Sequence, residues 1–109
     1  MRIDLSQIQE VCAAHLNGGN GEVRAAMFFG KGYKAIRSAL PAGASIGMHA
    51  HEKSFDFNFV LSGRGEAVCD GEREELSPGI VHCCPPGSSH AISNTGEEDL
   101  VLITFVPEL

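Results

Sequence analysis

His49 and His51 stand two residues apart, Asp56 follows five positions after His51, and His90 lies five positions after Pro85, beyond a Pro85-Pro86-Gly87 turn. Three imidazoles and one carboxylate can hold a divalent metal, because neutral ring nitrogens and a carboxylate oxygen suit Mn, Fe, Co, Ni or Zn. Four protein donors leave one or more positions open to water or a substrate. In an extended strand, residues two apart face the same side, so His49 and His51 converge on one face. Asp56 has the opposite parity to His51, so the chain must reverse through Glu52-Lys53-Ser54. The strand beginning at Phe55 is then expected to run antiparallel beside the first and set Asp56 opposite the histidine pair. Glu52 is an alternative carboxylate, but it falls in that turn and on the wrong parity. His90 must arrive from a distant strand.

The same alternation assigns further residues. If Asp56 faces inward, so do Asn58 and Val60, while Phe57, Phe59 and Leu61 face outward. Asn58 is therefore a candidate to contact the substrate or steady a ligand. His82 shares the parity of Ile80 and Cys84. It can line the cavity as an acid–base group, although a satisfied core or rim histidine is the plainer reading. Ser88 and Ser89 beside His90 look like a triad fragment, yet a metal-bound imidazole cannot also serve as a free base.

The elements that must position these groups read as β. Ser6 with Gln9, followed by Val11, Cys12 and Ala13, allows one short helix or turn near the start, and Gly18-Gly19-Asn20-Gly21 ends it. Alternation between turn signals then marks strands at 23–29, 34–40, 45–51, 55–61, 66–69, 72–76, 80–84, 89–93 and 100–106. Asp70-Gly71 is the strongest hairpin signal, a two-residue turn. Nine short strands in 109 residues make a sandwich or barrel. An arm with a short helix over 1–22 and a single barrel domain over 23–109 is the expected organisation.

Composition excludes several classes. A formal charge of −6 and eight scattered Lys and Arg argue against a nucleic-acid or anionic-membrane surface. The apolar run Ala25–Phe29 is far too short to span a bilayer, and no secretory signal follows Arg2. A cytoplasmic protein with reduced thiols is expected. Adjacent Cys83 and Cys84 point to opposite faces and make poor disulfide partners, while Cys12 and Cys69 read as small buried hydrophobes. The acidic hairpin Asp70-Gly71-Glu72 with Glu74 and Glu75 reads as solvated, and Asn94 as a turn stabiliser.

The segment from Gly43 through His49, His51 and Asp56 to Gly63 resembles the first signature motif of the cupin superfamily. That from Gly79 through Pro85, Gly87 and His90 to Asn94 is similar to its second motif, with the same spacing at every position. The resemblance implies an all-β fold, a jelly-roll barrel of the cupin double-stranded β-helix type, with a metal held inside by His49, His51, His90 and the residue at Asp56. The family usually carries Glu at that last place, one methylene longer. The apolar outward face, with the family's habit of pairing, makes a homodimer the expected assembly. The superfamily hosts isomerases, dioxygenases and decarboxylases, so the expectation is a metal-dependent protein acting on a small oxygenated metabolite. The alternative is a module that binds such a small molecule without turnover.

Overall fold

Alternating apolar and polar residues between glycine- and proline-bearing turns produce ten strands in the computed structural model, which describes residues 1–109. They are β1 (Val11–Ala14), β2 (Glu22–Gly30), β3 (Tyr33–Leu40), β4 (Ser45–His51), β5 (Asp56–Ser62), β6 (Gly65–Cys69), β7 (Glu72–Leu76), β8 (Val81–Cys84), β9 (Ser88–Asn94) and β10 (Leu100–Pro107). The nine expected strands all form, with ends moved by one residue at most. No helix is long and apolar enough to cross a membrane.

The N-terminal arm departs from expectation. Its helical parts are two 3-10 turns, Leu5–Gln7 and Leu16–Gly18, and in the first the Ser6 N–H donates to Asp4 Oδ1 at 3.0 Å. Val11–Ala14 is a strand, because it can satisfy its backbone against the edge of β2, pairing Val11 with Ala25 and Ala14 with Glu22. Cys12 consequently lies on an exposed edge and is not a buried hydrophobe. Cys69 is half-buried.

The strands form two antiparallel sheets, ordered β1-β2-β3-β10-β5-β8 and β4-β9-β6-β7. Asp70 and Gly71 make the β6–β7 turn with φ of 49° and 83°, the doubly left-handed turn that matches the twist of a hairpin. One expected pairing does not occur. β4 pairs with β9, and β5 pairs with β10 and β8, so β4 and β5 lie in opposite sheets rather than side by side. Asp56 meets the histidines across the barrel interior.

Along each inward face, apolar residues occupy one half of the barrel and polar residues the other. Leu40, Val60, Ile92, Leu100 and Leu102 belong to the buried cluster that fills the closed half. On the same strands Asn58, His90 and Thr104 occupy the other half. Asn94 secures the closed end: its amide donates to the Leu40 and Glu98 carbonyls, both at 2.8 Å, and its oxygen accepts from Gly96 N–H. Such a buried amide is tolerated because its hydrogen bonds are made.

Candidate metal centre

Register places the donors. In β4 and β9, His49 lies directly opposite His90, and His51 opposite Ser88. One extra residue bulges from β4 between Ile46 and His49, since Ile46 pairs with Ile92 and His49 with His90. Ile46 and His49 therefore both face inward despite their odd spacing. β5 delivers Asp56 from the facing sheet. The donor atoms of His49, His51, Asp56 and His90 all lie within 4.8 Å of one another, close enough for one ion to reach all four. Asp56 reaches the cluster despite its shorter side chain: its Oδ2 is 2.7 Å from His51 Nε2 and 3.1 Å from His90 Nε2.

Neighbouring groups fix which ring nitrogen is bare. His49 Nδ1 donates to the Gly47 carbonyl at 2.8 Å, so its Nε2 carries the lone pair. His82 Nδ1 donates to Glu74 Oε1 at 2.7 Å, which leaves His82 Nε2 to accept from His90 Nδ1 at 2.9 Å. His90 Nε2 is thus bare as well, 3.0 Å from His49 Nε2. Two bare nitrogens so close repel unless a cation sits between them. His51 Nε2 is buried and makes no hydrogen bond, because its approach to Asp56 is off line. An orphaned buried nitrogen aimed at a carboxylate and two lone pairs is the arrangement a metal ion satisfies.

Electrostatics agree. Burial is the main cause of the lowered pKa of His51; Asp56 opposes it, and His49, His90 and the Lys34 ammonium add to it. The ring is held neutral, the form that ligates. Burial would raise the Asp56 carboxyl, but the contact with His90 and the positive charge that the His90, His51 and His49 rings carry when protonated outweigh it and hold the group below the usual carboxylate range; an ion held by the neutral rings would act in the same sense. Asn58 Nδ2 donates to Asp56 Oδ1 at 3.1 Å, and Thr104 Oγ1 donates to Asn58 Oδ1 at 2.7 Å. The thiols contribute nothing here: burial pushes Cys84 up to about 12 and raises Cys83 and Cys69, so they stay protonated.

The cluster opens into a cavity of about 300 Å³ whose wall includes Asn58 and Thr104 and is otherwise largely apolar. His82 is not on that wall. It is 0% exposed and stands behind His90. Two functional groups escaped the sequence reading. Glu74, read as part of a solvated hairpin, turns one carboxylate oxygen to His82; β7 and β8 are the edges of their sheets, and this bond joins them. Lys34 lines the cavity, and its parity with Leu40 on β3 was the available signal.

Comparison with known proteins agrees with this architecture. The family profile described as Cupin domain matches residues 36–106. A protein of Thermotoga maritima named oxalate-binding protein is 33% identical over 112 residues, covering 97% of this chain and 93% of that protein. A crystal structure described as a predicted oxalate decarboxylase, also from Thermotoga maritima, superposes with a TM-score of 0.93 at 31% identity, over 100% of both chains. The cupin domain of Cnp3 from Schizosaccharomyces pombe gives 0.82 at 17% identity, over 100% of this chain and 74% of that one, a likeness of fold alone.

Proposed function

The chain belongs to the cupin domain family, and from that premise we propose that it is a metal-dependent binder of a small oxygenated acid, with oxalate the first candidate. The observation that carries this reading is the four-donor cluster at the base of a compact, largely apolar cavity. His49, His51, Asp56 and His90 would hold a divalent ion, which supplies Lewis acidity toward carboxylate oxygens. Asn58 and Thr104 steady Asp56, and walls such as Val23, Met27 and Ile36 exclude water, which strengthens any attraction between opposite charges inside. The cavity lies at the small end of the range for ligand sites, which favours a compact molecule. The name of the Thermotoga relative points to the same class of ligand.

Binding fits better than turnover. Besides the four donors, the sole ionisable side chain lining the cavity is Lys34, so no separate carboxylic acid stands ready to protonate a carbanion. Calorimetric titration of metal-loaded protein with oxalate is expected to show saturable binding at one site per chain. A free oxalate concentration a hundred times Kd should stabilise the fold by about 2.7 kcal/mol. Absence of binding to the metal-loaded protein sinks the reading. Release of formate or carbon dioxide would replace it with a decarboxylase.

The assembly we propose is a homodimer formed through the outer face of the larger sheet. Phe59, Leu61, Val81 and Phe105, each between 39% and 52% exposed, lie there with Phe57, Val101 and Ile103. Register sets Phe105 beside Phe57, and Phe59 beside Ile103 and Val81. An apolar patch of this kind, bordered by the exposed Arg37 beside Ile103, is costly to leave in water, and a second copy related by a two-fold axis would cover it. Light scattering should give twice the chain mass for the wild type and the single mass for Phe59→Glu. A monomeric wild type would refute the dimer.

A further inference from the structure

We propose that Lys34 is the residue that selects the charge of the ligand, pairing with the outer oxygens of a small dianion whose inner oxygens face the ion that His49, His51, Asp56 and His90 would hold. The inference rests on the binding function proposed above and deepens it, since it names a dicarboxylate rather than any oxygenated acid.

Placement comes first. Alternation on β3 puts Lys34, Ile36 and Ser38 on the cavity wall, with Leu40 continuing the same face into the core. Lys34 pairs with Val106 on β10, and the next step of the β10–β5 register sets Val106 beside Asp56. Lys34 and Asp56 therefore flank one intervening strand on the same interior face, with backbones about 10 Å apart. A lysine side chain leaning inward across that gap leaves room for a molecule of a few heavy atoms and little more.

Charge comes second. Lys34 is half-buried and has no carboxylate within ion-pairing distance. An ammonium on an apolar interior wall is costly unless a counter-charge joins it. Asp56 does not supply it: its Oδ2 lies among the histidines, its Oδ1 accepts from Asn58, and neither oxygen is within ion-pairing distance of Lys34. Three neutral imidazoles, one carboxylate and a divalent ion leave the centre one positive charge in excess, and Lys34 adds a second. A dianion neutralises both; a monoanion leaves one charge stranded and a neutral amide leaves two. In a cavity with largely apolar walls, that difference is the basis of selection.

The experiment compares oxalate with oxamate, nearly the same shape but one charge fewer, by titration into metal-loaded wild type, Lys34→Met and Lys34→Arg, with metal content verified in each. Wild type is expected to prefer oxalate. Lys34→Met should bind oxalate about tenfold to a hundredfold more weakly, the loss expected for a hydrogen bond to a charged group, and should lose the preference. Lys34→Arg should keep much of it. Unchanged oxalate affinity in Lys34→Met overturns the assignment while leaving the binding function intact. Weaker binding with an unchanged oxalate-to-oxamate ratio assigns Lys34 a structural role and overturns it too. So does a Lys34→Met protein that cannot be loaded with metal. If wild type binds neither anion, the proposed function falls and this inference with it.

Discussion

His90→Ala protein is expected to emerge from metal loading and desalting with almost no bound ion, where the wild type keeps about one per chain. Of the four proposed donors His90 is the most deeply placed, 0% exposed, and its Nε2 touches both His49 Nε2 and Asp56 Oδ2. Its loss removes one donor and unseats two others, so affinity should fall more than a hundredfold, beyond the upper end of the tenfold to hundredfold cost of losing a supporting residue. His82→Leu provides that smaller standard. It keeps all four donors but leaves His90 Nδ1 without the acceptor that fixes its tautomer, so metal should still load at full stoichiometry with affinity lowered about tenfold to a hundredfold. Glu74→Gln should fall nearer the wild type, because an amide oxygen can still accept from His82 Nδ1. Elemental analysis and chelator competition distinguish the three, with circular dichroism to establish that each is folded. His90→Gln serves if the alanine variant does not fold. Full metal retention in either His90 variant would remove the centre from the positions assigned to it.

His90 and the strands around it show how far the fold and the site are legible in the amino-acid sequence. Strand alternation and turn residues act locally, so the inward placement of Asn58 and Val60 and the Asp70-Gly71 hairpin were legible from a few residues each. The partnership of β4 was not. Whether a reversed chain pairs with its neighbour or crosses to the opposite sheet depends on the closure of the whole barrel, and the turn at Glu52-Lys53-Ser54 permits either. The bulge in β4 was hidden for a related reason: an inserted residue inverts parity, so Ile46 and His49 share a face that counting assigns to opposite ones. The route by which His90 is held was hidden as well. Glu74 carries the composition of a solvated hairpin, and it acquires a partner only because the edges of two sheets meet at His82.

Gly47→Ala should lower the melting temperature by roughly 15 °C, corresponding to about 3 kcal/mol in a domain of this size. The φ of Gly47 is unexceptional; the difficulty is space. A methyl group there would overlap the carbonyl of Asn17 and crowd the amide nitrogen of Gly19, and one at Gly19 would overlap the carbonyl of Ser45. These are backbone atoms, so neither side can yield by rotating a side chain. The 3-10 turn Leu16–Gly18 is clamped against β4 by two bonds between Asn20 and Ser45, the Asn20 N–H to Ser45 Oγ and the Ser45 N–H to the Asn20 carbonyl, both at 2.9 Å. Separation would strain both. It would also open the cavity, whose wall includes Leu16 and Asn17, and tilt the Gly47 carbonyl that aims His49. Stability and metal affinity should therefore fall together. Gly43→Ala is the control: its φ is 79°, but nothing lies within 4 Å of the added carbon, so only the left-handed penalty of about 1–2 kcal/mol applies. Metal affinity should be unchanged there. If Gly47→Ala melts no lower than Gly43→Ala and binds metal as tightly as the wild type, the close packing of the N-terminal turn against β4 does not support the centre. If it melts lower and loses metal, the glycine within the bulge lets two backbones approach closely enough to set the angle at which His49 enters the barrel.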